Sequence, residues 1–222
     1  MSNLTKAEFI RNGADTHVYI ATPATSIASN FHVSLIREIP RLLGAGMSVT
    51  YAHLAGHCHV DDARNLLAVD FLLKSDATDI LWWDADVAAE PGAALKLLGR
   101  GSDIIGGAYP LKGESDRFPV RLPGLNAHVP GIIVADMLPT GFLRVRRHVM
   151  DDLAKRSETL QMDGQIVPII FERGSVEGQR VGGDANFCRK ATAAGFKLYC
   201  DPSILFTHQG PVDFAGRLSD HL

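Results

Sequence analysis

The sequence predicts an α/β domain built on a mostly parallel central sheet flanked by helices. Three observations lead there. Strand-like and helix-like patterns alternate from residue 17 to residue 110, as successive βαβ units do. Short apolar runs such as Ile80-Leu81-Trp82-Trp83 have the length and near-continuous hydrophobicity of strands buried on both faces. The 222 residues are 46% hydrophobic and 21% charged, ordinary proportions for a globular domain of this size.

Residues 1–16 are polar and read as a lead-in. Residues 17–22 form the first strand, stopped by Pro23. Thr22 and Pro23 stand at its carboxyl end, where a nucleotide base or ribose would rest. Residues 29–43 carry Phe31, Leu35, Ile36, Ile39, Leu42 and Leu43 at helical spacing. Pro40 should kink or divide that helix, and Gly44 and Gly46 close it. Residues 47–54 are a second strand. Asp61 or Asp62 then caps a helix over residues 63–73. The strand of residues 80–83 follows, then a short helix over 92–98. Another strand at 103–109 holds a glycine pair, Gly106-Gly107, where something approaches the backbone closely.

Regularity lapses between Pro110 and Pro139. Pro119, Pro123 and Pro130 make short antiparallel strands and loops the expectation there. A strand over 137–145 and a helix over 147–156 come next. Residues 166–171 are a strand, followed by a glycine-containing loop to 180. A helix over 184–194 ends at Gly195, and residues 196–200 form a strand. Asp201-Pro202 is a turn, and a last short strand from 204 ends at His208. No repeat or linker interrupts the chain. One Rossmann-like domain is expected over 1–222, with 211–222 as a C-terminal tail.

Lys plus Arg number 22 and Asp plus Glu 25, a net charge of −3. That balance advertises neither nucleic acid nor an anionic membrane as partner. An anionic ligand would need a metal or a few placed basic groups. No apolar stretch approaches the roughly 20 residues of a spanning helix, and the first residues lack the pattern of a secretory signal. Cys58, Cys188 and Cys200 are scattered and odd in number. They suit a reducing, cytoplasmic setting rather than a disulfide framework.

The stretch Trp83-Asp84-Ala85-Asp86-Val87 carries the most chemistry. If extended geometry persists to Asp86, both carboxylates project to one face beyond the strand end. Two such carboxylates repel each other unless a cation joins them. Hard divalent ions prefer carboxylate oxygens and are often shared with phosphate. A turn or helix-capping role is the competing reading. His53, His57, Cys58 and His59 are a second group of metal-capable residues. Their spacing, interrupted by Gly56, lacks a zinc-site pattern, and a loop near the nucleotide is the better expectation. Trp82 and Trp83 read as core and pocket wall.

Four blocks, in order, resemble the GT-A glycosyltransferases, nearest to glycosyltransferase family 2 and related bacterial and viral enzymes. Ala63-Arg64-Asn65 opens a helix ahead of the acidic strand. Asp84-Ala85-Asp86 looks like the DxD motif. Thr140-Gly141-Phe142 leads to Arg146-Arg147. Gly183-Asp184-Ala185-Asn186-Phe187-Cys188 is followed by Gly195, Asp201-Pro202 and His208-Gln209-Gly210. The resemblance is read over residues 17–210, with the four blocks lying between 63 and 210. The family commonly has Glu-Asp where this chain has Gly183-Asp184.

The resemblance implies a GT-A fold with a nucleotide-binding half (17–110) and an acceptor-binding half (111–210). It implies transfer of a sugar from a nucleotide-diphosphate donor to an acceptor hydroxyl, with inversion. The acceptor would be a glycan, a lipid-linked molecule or a protein. Asp86 would bind Mn²⁺ or Mg²⁺ directly. Asp84 would reach the metal through water, or else the ribose. His208 would be the third protein ligand and would favour Mn²⁺; the alternative is a surface or capping histidine. Asp184 would be the base, or the N-cap of its helix. Arg64 and Lys112 would contact nucleotide or diphosphate, or be salt-bridged surface residues. The competing function is a non-catalytic nucleotide-sugar or glycan-binding module of the same fold. A nucleotidyltransferase is disfavoured because Ala21-Thr22-Pro23-Ala24-Thr25-Ser26 has no glycine-rich loop. P-loop and dinucleotide fingerprints are absent.

Overall fold

The computed structural model describes residues 3–113, 116–123, 128–129 and 131–222. Pro130 and the first two residues of the lead-in lie outside these.

The chain opens with β1 (Asn3–Phe9), β2 (His17–Pro23), α1 (Ser29–Gly44), β3 (Ser48–Ala55) and α2 (Val60–Lys74). β4 (Asp79–Trp83), β5 (Val87–Ala89), α3 (Ala93–Leu98) and β6 (Ile104–Gly106) follow. The middle of the chain forms β7 (His128–Val129), β8 (Ile132–Ala135), β9 (Phe142–Arg146) and α4 (Arg147–Arg156). Two small hairpins come next, β10 (Thr159–Met162) with β11 (Gln165–Pro168) and β12 (Gly174–Val176) with β13 (Gln179–Val181). The chain closes with α5 (Gly183–Ala193), β14 (Leu198–Cys200), β15 (Phe206–Gln209), β16 (Asp213–Gly216) and a 3-10 turn, Leu218–His221.

Nine strands form one sheet in the order β1-β3-β2-β4-β9-β6-β14-β8-β7. It is mixed, which corrects the mostly parallel expectation. Among the described residues, parallel pairing is confined to β3-β2-β4 and to β6-β14. The reason is β9, which inserts antiparallel between β4 and β6. Alternation of side chains is the same in either direction, so local pattern could not reveal this.

The lead-in is also corrected: residues Asn3–Phe9 are an edge strand, paired antiparallel with β3. Its outward face is exposed, so its polar sequence suits a strand wetted on one side. The tail is not one either. β16 pairs with β15, which pairs in turn with β5, making a separate three-stranded sheet. The strand expected at 166–171 lies in a hairpin outside the central sheet. α1 runs unbroken through Pro40. That residue is exposed, so the carbonyl it leaves unpaired can turn to water.

Successive residues of the inner strands pack on opposite faces. Tyr19, Ala21, Ile80, Trp82, Leu143 and Val145 meet α2, α4 and α5 on one side. Val18, Ile20, Leu81, Trp83 and Phe142 meet α1 and α3 on the other. Trp82 and Trp83 are both fully buried. Trp82 packs edge-on against Phe171, and Trp83 against Phe31 and Phe142. Neither tryptophan lines the two cavities beside Asp84.

Two charged side chains, one buried and one half-buried, hold helix ends. Glu38 on α1 accepts from the backbone N–H of Gly92, Ala94 and Leu95 at 2.8–3.2 Å, capping α3 from a neighbouring helix. Arg147 donates to the carbonyls of Phe71, Leu72, Ser75 and Ala77 and lies 4.4 Å over the Phe71 ring. The second arginine of the third block thus closes the end of α2. Glu38→Ala should cost about 2–3 kcal/mol, since three backbone donors, one of them buried, lose a charged acceptor; urea denaturation reads it, and a loss below about 0.5 kcal/mol would exclude the cap.

Candidate functional site

β4 ends at Trp83, and Asp84, Ala85 and Asp86 form a turn rather than more strand. The expected extended geometry is therefore corrected. Val87 N–H donates to the Asp84 carbonyl at 3.1 Å, and Trp83 Nε1–H donates to the Val87 carbonyl at 2.7 Å. Three distant segments tether the turn. Asp84 N–H donates to the Gly141 carbonyl, Ala28 N–H to the Ala85 carbonyl and Gln209 N–H to the Asp86 carbonyl, all at 2.8–2.9 Å. The turn separates the two carboxylates and gives each its own cation.

Asp84 faces Arg64, whose Nη2 donates to both carboxylate oxygens at 2.9 and 3.1 Å. The other arm of the same guanidinium, Nη1, donates to Asp184 Oδ1 at 3.0 Å. Arg64 is 3% exposed. It is the link between the acidic turn and the first turn of α5, not a solvated helix residue. Burial pushes the Asp84 carboxyl up against the pull of Arg64. Asp184 also accepts from the Thr140 hydroxyl at 2.6 Å, on Oδ1, and from Thr140 N–H at 3.3 Å, on Oδ2. α5 has Gly182 at its N-cap position and no side-chain cap, so capping does not consume Asp184. Oδ1 orients the group, and Oδ2 carries one long contact.

Asp86 faces the other way. Lys112 Nζ stands 2.6 Å from its Oδ2, and His208 Nε2 stands 3.6 Å from the same oxygen. Burial alone would push the Asp86 carboxyl up, but His208 and Lys112 outweigh it and hold the pKa at about 2. At 3.6 Å the histidine lies beyond ordinary hydrogen-bond distance. Its Nδ1 lies 2.9 Å from the Pro110 carbonyl. A carbonyl only accepts, so Nδ1 keeps its proton and Nε2 is the nitrogen at which a metal can replace one.

Asp86 and His208 thus offer one oxygen and one nitrogen to the same point, a donor set that fits Mn²⁺ or Mg²⁺ and favours Mn²⁺. Asp84 is turned away to Arg64. Among the described residues no group of three or more His, Cys, Asp or Glu is placed to hold a metal by itself. A cation here would complete its shell with water or with oxygens of a ligand, as Mg²⁺ commonly does with phosphates.

Two cavities meet at Asp84. The first, of about 600 Å³, is lined by Pro23, Ser26, Ala28, Asp84, Asp86 and Lys112. Thr22 is buried on β2; the cavity wall begins one residue later. His53 lies on β3 rather than in a loop, and its Nε2 is 2.9 Å from the Ala24 carbonyl, so β3 braces this wall. The second cavity, of about 630 Å³, is lined by Asp61, Arg64, Asp84, Arg173, Arg180 and Asp184.

Glycines permit these approaches. A Cβ at Gly141 would overlap the Tyr109 hydroxyl and stand 2.7 Å from Asp84 Oδ2. A Cβ at Gly183 would overlap the Asp61 carboxylate. Asp61 of α2 thus occupies the space that a side chain at Gly183 would need. It lies 4.0 Å from Arg64 Nη1 and 3.3 Å from Arg173 Nε. Burial keeps its carboxyl raised despite both arginines. Gly183→Glu should cost about 2–3 kcal/mol through overpacking. Adding Asp61→Ala should recover part of that loss, and a double-mutant cycle by thermal denaturation with strictly additive effects would refute the crowding.

Tyr109 was not legible as a site residue. It is buried, lies edge-on to His208 at 4.9 Å, and burial with Asp84 and Asp184 nearby pushes its phenol well above the usual value. The site therefore contains a permanent hydroxyl donor. The Tyr109-Pro110-Leu111-Lys112 order was the available signal, since Lys112 reaches Asp86 from the same segment.

No family model matches the chain, and no curated protein matches it. Among solved structures, the chain is similar to "A197 from STIV", with a TM-score of 0.58 and 16% identity over 88% of this chain and 86% of that one. The likeness covers most of both molecules and is one of fold. Among the described residues no helix is long and apolar enough to cross a membrane.

Proposed function

We propose that the protein is a metal-dependent glycosyltransferase of the GT-A type, moving a sugar from a nucleotide-diphosphate donor to an acceptor hydroxyl with inversion. One observation carries the reading: two cavities meet at the Asp84–Arg64–Asp184 ion-pair chain, one offering Asp86 and Lys112, the other Asp184. A donor diphosphate suits the first and an acceptor the second. Their placement on either side of Asp84 suits attack on the anomeric carbon from the side opposite the leaving phosphate.

In that reaction the acceptor oxygen bonds to the anomeric carbon as the carbon–phosphate-oxygen bond breaks. Asp184 Oδ2 takes the hydroxyl proton, held in position through Oδ1 by Arg64 and Thr140. Asp86 and His208 would hold Mn²⁺ or Mg²⁺, which when bound would stabilise the charge developing on the leaving diphosphate. Lys112, already at the cavity wall, pairs with a phosphate oxygen. Pro23 and the loop to Ala28 enclose the nucleoside.

The test is incubation of the purified chain with Mn²⁺ and a panel of nucleotide-diphosphate sugars, following release of the nucleoside diphosphate. Release with at least one donor, lost on adding EDTA and restored by Mn²⁺, supports the reading. A thermal-shift panel of nucleoside diphosphates with and without Mn²⁺ runs beside it. Stabilisation by a nucleotide sugar with no release from any donor would leave a binding module. Neither stabilisation nor release would end the proposal.

A further inference from the structure

The second cavity is not neutral in its chemistry. Arg173 precedes β12 and Arg180 lies on β13, and the β12–β13 hairpin brings both to the cavity beside α5. Arg64 is consumed by Asp84 and Asp184. Arg173 meets Asp61 through its inner nitrogen, Nε, and its side chain stays about half exposed. Arg180 is exposed and makes no ion pair or side-chain hydrogen bond among the described residues. The remaining wall includes Pro119, Met137 and Pro139. One side of the cavity is thus a carboxylate aimed inward, another is apolar, and the rim carries two guanidiniums, one of them unpaired.

A planar guanidinium matches a carboxylate or phosphate through paired N–H···O bonds. An uncharged glycan would gain no charge-assisted contact from Arg180. We propose that this cavity takes a hydroxylated molecule bearing an oxyanion, a carboxylate or a phosphate ester, which Arg173 and Arg180 hold while a hydroxyl faces Asp184. The proposal rests on Asp184's cavity being the acceptor side of a transferase. It narrows the acceptor to an acidic one.

The test needs neither donor nor metal. Methyl glucuronide, glucose 6-phosphate and uncharged methyl glucoside are titrated into the full chain and read by calorimetry or by amide chemical shifts. At least one acidic probe should bind roughly tenfold more tightly than methyl glucoside, as expected of charge-assisted contacts. Binding of the glucuronide alone identifies a carboxylate, of the phosphate alone a phosphate ester, and of both a general oxyanion site. Arg173→Gln with Arg180→Gln should abolish the preference in a chain that still folds by circular dichroism, and Arg180→Gln alone should weaken it at an unchanged melting temperature, while Asp184→Asn retains it. Equal affinity for charged and uncharged probes, no binding at all, or a preference that survives the double substitution overturns the proposal. Donor turnover with no acidic preference would sink this inference alone; acidic preference without turnover would sink the transferase reading and leave the anion site.

Discussion

Arg64→Met should destabilise the protein by about 3–5 kcal/mol at pH 7, because it strands two carboxylates that one buried guanidinium now satisfies. Arg64 is 3% exposed and holds Asp84 and Asp184 at 2.9–3.1 Å. Methionine replaces the volume but not the charge. For a chain of this length the melting temperature should fall on the order of 10 °C. Asp84, already raised by burial, would rise further without its cation. A carboxyl whose folded pKa exceeds its unfolded one favours the folded state as pH falls. The deficit of the variant should therefore shrink between pH 7 and pH 4. Arg64→Lys should recover only part of the loss, since one ammonium cannot span both carboxylates as a planar fork does. Urea denaturation at both pH values measures this. A loss under about 1 kcal/mol at neutral pH would mean that Arg64 is not the keystone of the site.

Asp86→Asn should lower metal-dependent release from a nucleotide sugar by about 10²–10³-fold, the scale lost when one electrostatic contact to a developing charge is removed. The same substitution should erase any Mn²⁺-dependent thermal shift, and His208→Ala should weaken it. Stability moves differently with pH here. The Asp86 carboxyl is held at about 2 by His208 and Lys112. A depressed folded pKa contributes stability above the unfolded value and loses it as pH falls through the folded one. The wild-type advantage over Asp86→Asn should thus be present at pH 5 and fade between about pH 4 and pH 2. An unchanged Mn²⁺ shift in Asp86→Asn would remove this residue from the metal proposal.

Much of the α/β order was legible because buried strands and amphipathic helices leave periodic marks. β2, α1, β3, α2, β4 and α3 fall within a residue or a few of their expected bounds. Direction was not legible: β9 carries the same alternation whichever way it runs. β1 was hidden because an edge strand half in water reads as polar. The acidic turn was found as residues but not as geometry. Its shape depends on Gly141, Ala28 and Gln209, which no local pattern around Asp84 announces. Asp61 was expected at a helix start, yet its carboxylate fills the space left by Gly183, a relation between residues far apart in the chain. Tyr109 and Glu38 act through burial, which a single sequence does not display. Arg64 and Asp184 were both named from the resemblance; that they touch one another was not foreseen.

The backbone moorings of the Asp84–Asp86 turn come from near the start, the middle and close to the end of the chain. No contiguous fragment contains all three. The full set of moorings is consequently complete only where β15 pairs with β5. A chain cut before β15 would own both acids without the third tether of the turn that carries them.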